Sequence, residues 1–322
     1  PDAVESEENH GTPCAGLIGA LTNNSAGVAG VGYNVQVVPI KMGFNFSGGS
    51  FSTSELILTR SCEHVMTAPY SIVAVSNSYT MGSWANIQAI RTAFSNMRTD
   101  SRSGLGTVVL ASTGNDNALN AEGYPFRFAN VVGVGSTDRF DIKSSFSNYG
   151  DSTDIAAPGT DTYTIDRTGV QGYSFNDYYE FGGTSAACPI AAGIVGLIAS
   201  TNPGYSEAQL RSKLYSSCDK IGGYTYSNNS SYTFGTWSQE LGYGRVNAYQ
   251  AVIGGGSSLD PPTNLQATVS GTSVELSWTA PGGGGGSQEE LVYDNNTSTG
   301  AYSYSGYTMS TQMSPSGPCQ VL

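Results

Sequence analysis

The sequence predicts an α/β fold, a layered domain built on a mostly parallel central sheet, and two observations carry that prediction. Short apolar runs recur at Val35–Met42, Ile72–Val75, Thr107–Ser112 and Val131–Ser136. Their continuous apolar character is what strands covered on both faces require. Longer stretches with helical character lie between and after them, at Thr53–Ala68, Trp84–Met97, Ala186–Ser200 and Ser206–Ser217. Strands alternating with helices imply parallel pairing through helical crossovers.

In chain order, His10 opens a Gly- and Ala-rich helical stretch that can pack closely against another helix. Asn202-Pro203-Gly204 ends the helix that begins after Ser185, and Ser206 followed by Glu207 and Gln209 starts the next. The α/β pattern occupies residues 1–252, and Gly254-Gly255-Gly256 within 253–258 reads as a flexible linker. Within 259–281, Pro261–Ala267 and Val274–Trp278 read as two strands about a Ser270-Gly271-Thr272 turn. A second glycine run opens 282–322, a Tyr- and Ser-rich stretch expected to begin a β-rich accessory region.

Composition excludes several classes of function. Lys and Arg number 13 against 25 Asp and Glu, a net charge of −12, so neither nucleic acid nor an anionic membrane is the expected partner. Charged residues make up only 12%, and a surface kept soluble by Ser, Thr, Asn and Gly suits an extracellular protein. The five cysteines, Cys14, Cys62, Cys188, Cys218 and Cys319, form no CxxC pair, which argues against structural zinc. The odd count leaves at least one thiol free or paired elsewhere, and spacing leaves the connectivity open. No run of 18 apolar residues occurs, so no membrane span is expected.

Three segments carry chemistry: His10-Gly11-Thr12-Pro13-Cys14-Ala15-Gly16, Val108–Asn115, and Gly182-Gly183-Thr184-Ser185-Ala186-Ala187-Cys188-Pro189. They supply an imidazole, a carboxamide and a hydroxyl, the parts that acyl transfer needs. A serine hydroxyl is a weak nucleophile until a neighbouring base takes its proton. Only two histidines are present, and His64 sits mid-helix, where a surface role is expected, leaving His10 as the base. Ser185 precedes a helix of small residues, whose N-terminus favours developing negative charge. Asn115 follows Gly114 at a strand end, with a side-chain N–H to offer an oxyanion.

The same three segments, in this order, resemble those of the subtilase family. Gly123-Tyr124-Pro125, Ser145–Gly150, Ile155–Gly159 and Gly242–Ala248 match as well. The resemblance covers residues 1–252 and implies the subtilisin-like three-layer fold and a serine endopeptidase acting through an acyl-enzyme. Ser185 is then the nucleophile, His10 the base and Asn115 the oxyanion donor. It further implies that Ser78, Tyr79 and Thr80 pair with substrate backbone as an added strand. Ser112, Thr113, Gly114 and Gly123 form the walls and floor of the first specificity pocket, the glycine suggesting room for a large side chain. Thr80 stands where the family usually has glycine.

The resemblance also implies a structural calcium ion in the loop Leu21–Val28, held by the Asn24 side chain and the carbonyls of Leu21, Ala26 and Val28, with no organic cofactor. Cys14 resembles the buried free thiol of thermitase and proteinase K relatives. Inert core thiols are expected at Cys14 and Cys188, although a bridge between them stays open. The expected partners are polypeptide substrates and a prodomain outside the chain, and the protein is expected to be a monomeric, secreted, bacterial enzyme. The stretch 259–281 resembles the opening strands of a fibronectin type III module.

One part of the family pattern is not met. The triad aspartate of subtilases lies in an Asp-Ser/Thr-Gly motif on the first core strand, some tens of residues before the histidine. Nine residues precede His10 here, and Asp2 is followed by Ala3-Val4. The expectation is therefore an N-terminally truncated catalytic domain, poorly active alone. The alternatives are a non-catalytic binding protein on a subtilase fold and an esterase using the same chemistry.

Overall fold

Residues 9–46, 50–253, 263–270, 273–279, 291–294 and 320–321 are described by the computed structural model. They fall into two compact units, Pro1–Val252 with Ser316–Leu322, and Ile253–Pro315. In the first unit the elements run α1 (Gly11–Gly19), β1 (Gln36–Val37), a hairpin of β2 (Phe44–Phe46) and β3 (Ser50–Ser52), α2 (Glu55–Thr67), β4 (Ile72–Asn77) and α3 (Gln88–Asp100). They continue with β5 (Val108–Ser112), β6 (Val132–Thr137), β7 (Ile155–Pro158), a hairpin of β8 (Thr162–Ile165) and β9 (Tyr178–Phe181), α4 (Thr184–Thr201), α5 (Glu207–Ser216), a hairpin of β10 (Ser227–Asn229) and β11 (Tyr232–Trp237), and α6 (Ala248–Ile253). The second unit contains an antiparallel sheet of β12 (Thr263–Ser270), β13 (Ser273–Thr279) and β14 (Leu291–Asp294).

The central sheet has a core of four parallel strands, β4-β5-β6-β7, in register from Ala74↔Val108 to Thr137↔Pro158. The short strand β15 (Gln320–Val321) and β1 extend it beyond β4. This is the layered α/β arrangement expected from the sequence, a parallel sheet covered by helices on both faces. Helix α4 underlies one face with Ala186, Ala187, Ala191, Ala192, Ile194 and Ile198 buried against Val108, Leu110, Val132 and Val134. Its small residues let backbones approach closely. A Cβ on Gly193 would lie 3.2 Å from the Gly32 nitrogen and 3.3 Å from the Ile18 carbonyl oxygen. On the other face α2 and α3 bury Leu58, Val65, Ile90, Phe94 and Met97 against Ile72, Val109 and Ala111. Each such side chain stabilises the fold by roughly 1.5–3 kcal/mol relative to leaving it in water.

Two expected elements are shorter than their apolar runs. Val35–Met42 contributes only Gln36–Val37 to the sheet, because Pro39 has no N–H to continue a ladder. The helix expected from Trp84 begins at Gln88, after a tight turn at Ser83–Ala85. Arg91 donates to both the backbone and side-chain oxygens of Asn86, which holds that connection out of the helix. The capping box expected at Ser206 is formed with Gln209. Helix α4 is itself 18 residues long, with a mean hydropathy of 1.5, enough by length and composition to cross a membrane. Its window is 78% buried inside the protein, so its apolar surface is already covered.

Candidate active site

Ser185 follows a constrained stretch of backbone. Strand β9 ends at Phe181, and Gly183 caps α4 with φ at +92°, a conformation side chains resist. Ser185 is thereby the second residue of α4, close to the helix N-terminus. Its hydroxyl donates to the Ser78 carbonyl at 3.4 Å, while the Ser78 hydroxyl donates to the Ser185 carbonyl at 2.9 Å. The exit of β4 and the start of α4 are tied together by this pair.

His10 is the N-cap of α1, and its ring meets Phe181 edge-on with centroids 5.3 Å apart. Nδ1 lies 3.9 Å from Cys14 Sγ, one turn along, and that thiol donates to the Ser185 carbonyl at 3.5 Å. Cys14 thus links His10 and Ser185. Burial lowers the imidazole pKa from its usual value, so His10 stays neutral, the form a base needs, to lower pH. Among the described residues no carboxylate hydrogen-bonds to this ring, and no hydrogen bond joins it to Ser185.

Asn115 is held by its oxygen. Oδ1 accepts from both the backbone N–H and the hydroxyl of Thr184, each at 2.9 Å, so the NH2 end is turned to the Gly183 side. The same hydroxyl accepts from the Gly114 N–H at 3.1 Å. Asn148 clamps the loop that carries Asn115: its amide donates to the Thr113 carbonyl, and its oxygen accepts from Asp116 and Ala118 N–H groups. Lys143 completes the support, its ammonium donating to Asn117 Oδ1 and to the carbonyls of Ser144 and Ser147, beside the Tyr149 ring. Burial lowers the Lys143 pKa.

The other expected substrate residues lie on two neighbouring segments. Met81 and Tyr124 exchange backbone hydrogen bonds, placing Ser78–Thr80 beside Gly123. A Cβ on Gly123 would lie 2.5 Å from the Thr80 methyl carbon, so these two residues are in close contact. Ser112 and Thr113 are buried at the end of β5, and Gly114 follows them. Tyr79 turns away from this group. Its hydroxyl donates to Asn77 Oδ1, and its ring lines a partly open cavity with Ile40, Met42, Cys62 and Phe94. His64 lies exposed on α2 beside Tyr70, as expected of a surface histidine.

A model of the Subtilase family matches residues 1–244. This chain belongs to the subtilase family. It is 33% identical over 248 residues to thermitase of Thermoactinomyces vulgaris, covering 77% of this chain and 76% of thermitase. It is 32% identical over 221 residues to subtilisin Savinase of Lederbergia lenta, covering 68% and 74% of the two chains. Alkaline elastase YaB of a Bacillus strain is 34% identical over 222 residues, 69% of this chain and 53% of the elastase. Among solved structures, a protease of Pseudoalteromonas arctica PAMC 21717 superimposes with a TM-score of 0.55 at 27% identity, over 76% of this chain and 70% of that one.

Sequence reasoning missed two positioning residues of this subtilase, Thr184 and Asn148. Both stood inside motifs already noted, Gly182–Pro189 and Ser145–Gly150, but their hydrogen bonds span segments far apart in sequence. Cys14, Cys62, Cys188 and Cys218 are free thiols, and Cys319 lies outside the described residues. Burial pushes the Cys14 and Cys188 thiols up to about 12 and about 11, so both are protonated, poor nucleophiles at neutral pH. The loop at 21–28 is exposed, and Asn24 Oδ1 accepts from the Ala26 N–H. Its four expected calcium donors are all oxygens, the right type for a hard cation, but all are neutral and fewer than the six to eight that calcium takes.

Proposed function

We propose that this subtilase is a serine endopeptidase that cleaves polypeptides through an acyl-enzyme. Ser185 attacks the scissile carbonyl carbon as neutral His10 takes the hydroxyl proton. The oxyanion receives N–H donors from the Asn115 carboxamide and the Ser185 backbone. His10 then protonates the leaving amine, and water releases the acyl group by the same steps in reverse. One observation supports this reading above the rest. Thr184, the residue before the nucleophile, grips Asn115 by its oxygen and so aims the amide donors while fixing their place relative to Ser185. For the first step the Ser185 hydroxyl must leave the Ser78 carbonyl and turn to the imidazole.

We read the enzyme as a secreted bacterial monomer, supported by its weakly charged composition and its bacterial relatives. Its partners in this reading are polypeptide substrates and a prodomain outside the chain. The β12–β14 sheet is read as part of an accessory module. The loop at 21–28 is read as one part of a structural calcium site whose other ligands come from outside it. In this family an aspartate fixes the imidazole tautomer, and with no described carboxylate hydrogen-bonded to His10 the turnover supported by the described residues is expected to be low.

Reaction with a serine-directed phosphonate, followed by mass spectrometry, tests the proposal. Labelling is expected at Ser185 and is expected to vanish in His10→Ala. Its rate should rise with pH, with a midpoint below the ordinary histidine value, and level off above it. A second reading, a non-catalytic binding protein on this fold, is favoured by the Ser185–Ser78 hydrogen bond and by the thiol, not a carboxylate, beside Nδ1. No labelling of this chain or of one extended upstream would establish that second reading.

A further inference from the structure

The β8–β9 hairpin leads directly into the catalytic turn and carries an apolar tip that the reaction above does not use. Val170 and Phe175 are 80% and 83% exposed, and Tyr173 is 41% exposed. Exposed singly, such residues mean little. Here they belong to a built loop. Buried Asp166 accepts at Oδ1 from the Arg167 N–H and at Oδ2 from the Ser174 N–H, while its own N–H donates to the Asp177 carbonyl. The Ser174 hydroxyl donates to the carbonyls of Asn176 and Tyr178. Loop entropy is therefore removed before any ligand arrives.

The loop is also continuous with the catalytic base. Tyr173 stacks on Tyr179 at 5.0 Å and reaches Phe181 at 6.2 Å, and Phe181 meets the His10 ring at 5.3 Å. Acid–base chemistry gives this side a meaning. His10 must hand its proton to the departing amine, so the peptide segment released first runs out past His10. The acyl segment lies on the other side, along Ser78–Thr80.

We propose that the loop at 169–175 is a specificity ledge for the leaving-group side of the substrate, with Phe175 and Val170 covering a large apolar side chain beyond the scissile bond. This rests on the acyl-transfer reading of the site. The apolar tip gives a modest preference, because partial burial of one side chain at an exposed ledge discriminates by roughly tenfold.

Acyl transfer isolates that side. Ser185 is acylated with a nitrophenyl ester of a short peptide, which places nothing on the leaving-group side once nitrophenol departs. Added Ala-Phe-amide or Ala-Ser-amide then attacks the ester carbonyl. A new amide bond forms, the Ser185–acyl bond breaks, and the amine proton returns to the serine oxygen through His10. Ala-Phe-amide should be captured roughly tenfold better than Ala-Ser-amide. Phe175→Ser and Val170→Ser should each erase most of that ratio, while the equally solvent-facing Phe140→Ser should not. An unchanged ratio in both ledge variants overturns the ledge. If the ester is not turned over by any form, acyl transfer is what fails, and the ledge is read by binding instead. Fluorescent peptides spanning the cleft, with Phe or Ser at that position, are titrated into Ser185→Ala with and without Phe175→Ser. A Phe preference that disappears with Phe175 supports the ledge, and equal affinities overturn it.

Discussion

The single most informative side chain in the site is one without any bond-making role. Thr184 gives its N–H and its hydroxyl proton to one oxygen of Asn115 and takes a third hydrogen bond from Gly114. Replacing it with valine keeps the shape and removes the hydroxyl. The amide of Asn115 then loses one of two bonds that hold it, and acylation of Ser185 is expected to slow roughly tenfold, the size of about one lost hydrogen bond. Phosphonate labelling rates read this, and in an Asn115→Ala background the same change should have almost no effect. An equal loss in both backgrounds would place Thr184 outside the oxyanion arrangement. At this scale His10, Ser185 and Asn115 could be singled out because each stands in a short segment of distinctive composition, and hydrogen bonds bring those segments together. Thr184 and Asn148 were not, since hydrogen bonds between segments roughly seventy and thirty-five residues apart leave no mark on either segment alone. Nor was the turning of Tyr79 into the cavity beneath β4, which depends on packing by α2 and α3.

Among the elements, the strands that could be read were those buried on both faces, β4, β5 and β6, whose uninterrupted apolar runs have no competing explanation. The hairpins β8–β9 and β10–β11 escaped because Tyr, Thr, Ser and Asn dominate them and exposed faces blur the alternation. One inter-element contact was invisible as well. Glu207, at the first turn of α5, accepts from Arg98 on α3 and from Arg211 one turn on, with side-chain exposures of 6%, 11% and 14%. Glu207→Leu would take the carboxylate away from two partly buried guanidinium groups, leaving Arg211 with Tyr215 and Asp154 nearby. It is expected to destabilise the protein by about 3 kcal/mol, seen as a lower denaturant midpoint with an unchanged slope. A loss under 1 kcal/mol would show that both arginines reach water on losing their partner.

For the molecule as a whole, the calcium reading makes a claim about stability and not about chemistry. A cation bound by the native fold alone raises the melting temperature with concentration. Melting in millimolar calcium should therefore exceed melting in a chelator by several degrees, and Asn24→Ala should shrink the gap. Identical curves would remove the ion from the description of this chain. Around Asn115 the protein takes another course. The ammonium of Lys143 occupies a nest of three oxygens around the Asn115 loop, doing there what a dissolved cation does elsewhere. Being covalently tethered, that charge has no dissociation constant, cannot be chelated and is never diluted away. A chelator therefore has no ion to remove from the Asn115 loop, and the fastening of that loop by Lys143 is set by the fold alone.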